Sequence, residues 1–284
     1  MKVLVTGADG QLGYDVVRKL NELDIEHIGV DKEDFDLTNE KETKDFIMDY
    51  QSDVIIHCAA YTDVDQAEVE RELCYKVNVE GTRYVAEAAK ELDAKMLYIS
   101  TDYVFDGQGE EPFEVTDQPN PINYYGETKY QGEQEVQKLL NKYFIVRTSW
   151  VFGEHGNNFV KTMIRLGKER DEISVVADQY GSPTYTIDLA EVIIEMIETK
   201  KYGIYHATNE GFCNWYEFAK EIFKAAGIDV EIKTVTSNEF KSKASRPNNS
   251  RLSKNKCRDN NFCLLRHYSK SVKEFLNCLN GSSV

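Results

Sequence analysis

The 284-residue chain has no apolar run approaching the ~18 residues that a membrane-spanning helix needs, so nothing in it is expected to cross a bilayer. It also lacks a basic excess. Its 34 Lys and Arg face 49 Asp and Glu, a formal net charge of −15. That balance argues against a nucleic-acid partner, which needs a basic footprint, and favours solubility, yet it leaves room for one local anion site. The six cysteines, Cys58, Cys74, Cys213, Cys257, Cys263 and Cys278, form no CxxC pair and no Cys/His cluster with ligand spacing, so no metal site is expected. No secretory signal opens the chain, and Cys58 follows the apolar Val54-Ile55-Ile56 as a reduced core thiol would. The expected compartment is the cytoplasm. Neither an internal repeat nor a low-complexity linker is visible.

What is present is an ordinary globular composition, in a chain long enough to bury most of its unfolded surface. Strand-like runs at Lys2 to Thr6, His27 to Val30, Val54 to His57, Met96 to Ile99 and Phe144 to Arg147 alternate with helical stretches at Gln11 to Leu23, Val79 to Leu92 and Tyr125 to Leu140. This order predicts an α/β fold: a doubly wound, Rossmann-type parallel sheet over residues 1–150. Helices at Asn158 to Glu169, Ile187 to Glu198 and Asn214 to Ala226 and short strands at Ile173, Ile204 and Glu231 suggest a smaller α/β substrate-binding lobe over 151–284. The chain is expected to cross between the two.

The first strand-to-helix turn reads Val5-Thr6-Gly7-Ala8-Asp9-Gly10-Gln11-Leu12-Gly13. Gly7 permits the tight turn, Gly10 lets a pyrophosphate approach backbone, and Gly13 lets helix and strand pack closely. The helix N-terminus then offers free N–H groups to phosphate. Asp31 ends the second strand, where an acid accepts from ribose hydroxyls and repels a 2′-phosphate. NADH is therefore slightly favoured over NADPH, although Lys32 beside it softens the preference.

The fourth strand runs into Ser100-Thr101-Asp102, at the carboxyl end where parallel sheets bind ligands. Tyr125 and Lys129 follow, one helical turn apart. Hydride delivery to a ketone leaves an alkoxide that needs a proton. A phenol can supply it if a nearby ammonium brings its pKa of about 10 toward working pH. Tyr125 is chosen over Tyr124 because Lys129 lies four residues on. His57, inside an apolar strand, reads as a core histidine, and Trp215 as a packing residue. Trp150 has two readings, a stacking surface or strand-end packing. Asn78 also has two, a helix N-cap or a contact near the nicotinamide.

These residues resemble the extended short-chain dehydrogenase/reductases, and within them the dTDP-4-dehydrorhamnose reductase family. The resemblance rests on the glycine turn, Cys58-Ala59-Ala60-Tyr61-Thr62-Asp63, Ser100-Thr101-Asp102-Tyr103-Val104-Phe105, Tyr125-Gly126-x-Thr128-Lys129, Arg147-Thr148-Ser149-Trp150-Val151, Gly156-Asn157-Asn158-Phe159, Asp178-Gln179-x-Gly181-x-Pro183-Thr184 and Ser245-Arg246-Pro247-x-Asn249-Ser250. It implies NAD(P)H-dependent reduction of a 4-keto nucleotide sugar. It implies a catalytic set of Thr101, Tyr125 and Lys129. Cofactor contacts are implied at Gly10, Gln11, Leu12, Asp36, Leu37, Ala59, Ala60 and Tyr61. Substrate contacts are implied at Thr101, Asp102 and Trp150, with Asn158 and Arg246 in the nucleotide-sugar lobe. Some members are homodimers bridged by a metal at an acid of the first helix; this chain has Asp15 there, one methylene shorter than the family's glutamate.

Rival readings share the fold or the ancestry. A dehydratase carries Asp-Glu after the threonine, whereas Tyr103 follows Asp102 here. A 4-epimerase typically has serine in place of Thr101. A non-catalytic subunit resembling the regulatory subunit of methionine adenosyltransferase would not need Thr101, Tyr125 and Lys129 together.

Overall fold

The computed structural model describes residues 1–240 and 242–281. Six strands form one sheet: β1 (Lys2–Thr6), β2 (Glu26–Val30), β3 (Val54–His57), β4 (Lys95–Thr101), β5 (Tyr143–Thr148) and a later strand, Gly203–His206. All pairings in it are parallel, in the order β2-β1-β3-β4-β5 and then Gly203–His206. Strand order reverses between β1 and β3, which opens a crevice at their carboxyl ends.

Alternation along the strands explains the layers. Val3 and Val5 face one side, with Ile56, Leu97 and Val146, and bury Leu12, Val16 and Leu20 of α1 (Gln11–Glu22). Leu4, Ile55, Met96 and Ile145 face the other side. They are covered by α2 (Glu40–Tyr50), α5 (Thr82–Glu91) and α6 (Tyr124–Leu139). Two short helices, α3 (Val64–Ala67) and α4 (Arg71–Tyr75), precede α5.

After β5 come β6 (Val151–Phe152), α7 (Phe159–Glu169), β7 (Glu172–Val176), β8 (Tyr180–Gly181), β9 (Thr184–Tyr185) and α8 (Thr186–Ile197). The sheet's sixth strand is β10, followed by β11 (Cys213–Asn214), α9 (Trp215–Ala226), β12 (Glu231–Val235), α10 (Asn255–Asp259) and α11 (Tyr268–Gly281). Leu189 and Ile193 of α8 and Tyr205 of β10 belong to the same apolar layer as α1. The second half of the chain therefore completes the first lobe; β10 covers the edge that β5 would otherwise leave unpaired. A separate core, with Phe152, Met163, Phe218, Phe223 and Phe275, holds the smaller lobe together.

Candidate active site

The crevice is a cleft of about 1340 Å³ whose walls come from both lobes. Its dinucleotide end is built from backbone. Gly7 has φ +71°, and a Cβ there would lie 2.6 Å from the Ala59 nitrogen. A Cβ on Gly13 would lie 2.0 Å from the Gly7 oxygen, so α1 packs directly against the turn. Gly10 caps α1 with no side-chain hydrogen bond, which leaves the first N–H groups free for an anion. Gln11, Leu12, Ala59, Ala60, Tyr61, Asp36 and Leu37 all line this end. So does Asp31, whose carboxylate accepts from the N–H groups of Asp9 (3.1 Å) and Lys32 (2.8 Å).

The far end is built from side chains. Thr101 ends β4, donates to Asp102 Oδ1 (3.0 Å) and accepts from the Tyr103 N–H (3.2 Å). Tyr125 enters from the first turn of α6, which Asn123 caps by accepting from the Gly126 N–H. Gly126 permits this approach, since a Cβ would meet the Tyr103 oxygen at 2.1 Å. Lys129 is buried, its Nζ 4.1 Å from the centroid of the Tyr98 ring. Thr101, Asp102, Tyr125 and Lys129 all line the cleft.

Burial dominates the charges here. It pushes the Asp102 carboxyl up to about 6, against hydrogen bonds from Ser250 and Thr101. It pushes the Tyr125 phenol well above its ordinary value, with Asp102 adding to the rise and the Thr101 hydroxyl opposing it. It brings the Lys129 ammonium down to about 7. The expectation that the ammonium lowers the phenol is thus corrected: burial shifts each group toward its neutral form, and for the phenol it outweighs any pull from Lys129. His57 is a satisfied core residue, between the hydroxyls of Thr6 (2.7 Å) and Thr82 (3.2 Å).

Three expected contacts lie behind the wall instead of on it. Asn78 sits in a π-helical turn (Lys76–Gly81), so it is no N-cap; its amide brackets Tyr61, accepting from the N–H (2.8 Å) and donating to the carbonyl (3.1 Å). Asn158 caps α7 and donates to Gln11 Oε1 at 3.0 Å. Arg246 is engaged by Asp65, with Nη2 2.7 Å from Oδ2. A buried amide or a half-buried guanidinium is satisfied first by the nearest polar chain, which motif position alone does not reveal.

Sequence reasoning missed Trp215 and Thr148. Trp215 stacks on Trp150 with ring centroids 3.6 Å apart, and both indoles line the cleft. A signal existed: Asn214 and Glu217 form a capping box that fixes Trp215 at the start of α9. Thr148 ends β5 beside Thr101 and lines the cleft, and its buried hydroxyl has no hydrogen-bond partner. The strand-end rule applied to β5 would have found it. Trp150 has φ +49°, a strained value for a bulky side chain that orients its indole into the wall.

Asp15 is buried and hydrogen-bonded by Thr186, with Arg18 3.2 Å away. Among the described residues no group of three or more His, Cys, Asp or Glu is placed to hold a metal, and no helix is long and apolar enough to cross a membrane.

The chain is similar to several known proteins. The dTDP-4-dehydrorhamnose reductase of Aggregatibacter actinomycetemcomitans is 44% identical over 264 residues, covering 88% of this chain and 90% of its own. A crystal structure of a dTDP-4-dehydrorhamnose reductase from Clostridium acetobutylicum superposes with a TM-score of 0.96 at 45% identity, over 99% of this chain and 100% of that one. The Bacillus anthracis dTDP-4-dehydrorhamnose reductase, solved in complex with NADP, gives 0.95 at 49% identity over 97% and 98%. A family model described as RmlD substrate binding domain matches residues 1–280, and the chain belongs to that family.

Proposed function

We propose that the protein reduces the 4-keto group of dTDP-4-dehydro-6-deoxy-L-mannose to dTDP-L-rhamnose with NADH or NADPH. The observation that carries this reading is the meeting of Thr101, Tyr125 and Lys129 with the glycine turn in one cleft. The similar reductases named above support the substrate class. The uncapped start of α1 and the close Gly7–Ala59 approach fit a dinucleotide pyrophosphate. When bound, the reduced nicotinamide supplies the hydride.

The chain's own residues do the rest. Thr101 turns its hydroxyl hydrogen from Asp102 to the ketone oxygen and polarises it. Tyr125 delivers the proton that the forming alkoxide requires; a phenol held protonated by burial is ready for that step. Lys129, in its ammonium form, binds the ribose next to the nicotinamide. Asp31 and Asp36 flank the adenosine end, with Asn78 holding the Tyr61 loop in place. Asp102, Thr148, Trp150 and Trp215 enclose the sugar nucleotide, and Arg246 and Asn158 support the lobe that covers it.

A panel of 4-keto sugar nucleotides with each reduced cofactor tests this. Stoichiometric loss of cofactor absorbance with the dTDP-linked 6-deoxy-4-keto sugar is the expected result. Cofactor binding without turnover would favour a binding subunit instead, and catalytic cofactor that is never consumed would favour an epimerase.

A further inference from the structure

We propose that Glu133 is a positioning residue for this reaction: its buried carboxylate, clamped by Arg147 and Ser100, keeps Lys129 in the ammonium form that cofactor binding uses. The inference rests on the role given to Lys129 above.

The clamp is complete. Ser100 Oγ donates to Glu133 Oε1 at 2.5 Å. Arg147 donates from Nε to Oε1 at 2.8 Å and from Nη2 to Oε2 at 2.6 Å. Glu133 is 0% exposed and Arg147 2%. A buried ion pair is a poor stabiliser, because desolvating both charges offsets most of their attraction. This pair lies where chemistry can use it. Ser100 lines the cleft and sits opposite Arg147 in the β4–β5 register. Glu133 follows Lys129 by one turn on the same helix.

The other groups around Lys129 carry no charge near neutrality. Burial holds His57 of β3 neutral, down to about 3, and pushes Cys58 up to about 12. It also raises Cys74 of α4, Tyr98 of β4 and Tyr125 of α6. Asp102 acts on the Tyr125 phenol and is not among the groups that shift Lys129. Among the described residues, the Glu133 carboxylate leads the influences that oppose the burial of the ammonium.

The sign follows. The ammonium is lost as pH rises through its folded pKa, so cofactor affinity should fall on the alkaline side. Weakening the field of Glu133 should move that fall to lower pH. The readout is NADH binding by fluorescence between pH 5.5 and about 9.5; NADH avoids the 2′-phosphate of NADPH, the kind of phosphate that titrates near pH ~6. Wild type should show an alkaline midpoint that Lys129→Met abolishes. The double variant Glu133→Gln with Arg147→Met leaves no lone buried charge and roughly keeps volume. Its midpoint should drop by about one pH unit. An unmoved midpoint in that variant overturns the role of Glu133. A wild-type affinity with no alkaline midpoint, or one that persists in Lys129→Met, overturns the reading of Lys129 instead. If the double variant does not fold, Glu133→Asp decides. It keeps a charge for Arg147 but withdraws it from Lys129, and a smaller downward shift is expected; no shift overturns the proposal.

Discussion

At one end of the cleft the shape comes from backbone, with Gly7, Gly10 and Gly13 letting β1, α1 and Ala59 close on one another. At the other end it comes from the buried side chains of Thr101, Asp102 and Lys129 and the half-buried Tyr125. The first end has fixed N–H groups along its glycine turn. The second has a carboxyl near 6 and an ammonium near 7. The difference teaches where damage should register. A change at the backbone end alters fold and cofactor affinity, whereas a change at the side-chain end alters rate or sugar binding, with Lys129 serving both ends because it also holds the cofactor.

The largest expected effect breaks the side-chain end alone. Tyr125→Phe removes the proton donor but keeps the ring, and with it the edge contact to Tyr103 at 5.8 Å. Loss of proton transfer lowers kcat by roughly 10²–10⁴, about 3–5 kcal/mol in the barrier. NADH affinity should stay near that of the parent, checked by fluorescence titration. Equal loss of rate and affinity would erase the distinction between the two ends.

The converse substitution is Gly13→Ala. An alanine inside α1 should gain about 1 kcal/mol of helix propensity over glycine. Here its Cβ would fall 2.0 Å from the Gly7 oxygen and 2.7 Å from the Gly7 carbonyl carbon, both backbone atoms that a rotamer change cannot relieve. Overpacking of that kind typically costs 1–3 kcal/mol, so sterics should outweigh propensity. The expected result is a lower melting temperature and weaker NADH binding, with kcat at saturating cofactor largely kept. A variant as stable as the parent would mean that the turn has slack.

The same contrast governs what could be read before folding. The glycine spacing, the strand-end Ser100-Thr101 and the Tyr125/Lys129 turn are local patterns, and the structure brings them into one cleft. α2 escaped notice because it buries only Thr43 and Ile47, too few for an apolar stripe; its Asn39 cap with Glu42 three residues on was the better signal. β10 was assigned to the smaller lobe because sequence order does not disclose which sheet edge a strand completes. α11 buries Val272, Phe275 and Leu276 in the smaller lobe, from a tail that matched no motif. Arg246 was placed on the substrate because its motif carries no record of Asp65, far away in the chain. Long-range pairing and the ionisation of buried groups depend on packing, which no local window contains.

Trp215 tests the side-chain end where that limit was sharpest. Its indole stacks on Trp150 at an interplanar angle of 13°, and its Nε1 donates to Gln179 Oε1 at 3.1 Å. The hydrogen bond orients the ring and the stack presents a flat apolar wall to the cleft. Trp215→Leu keeps apolar area but loses both. Aromatic pairing beyond area burial is worth about 0.5–1.5 kcal/mol, so KM for the sugar nucleotide should rise by roughly two- to twelvefold. NADH affinity should not move, because the dinucleotide end is shaped elsewhere. Steady-state kinetics with each ligand varied in turn separates the two. A rise in the NADH constant as large as that for the sugar would mean that the indole pair shapes the whole cleft and that its two ends are not independent.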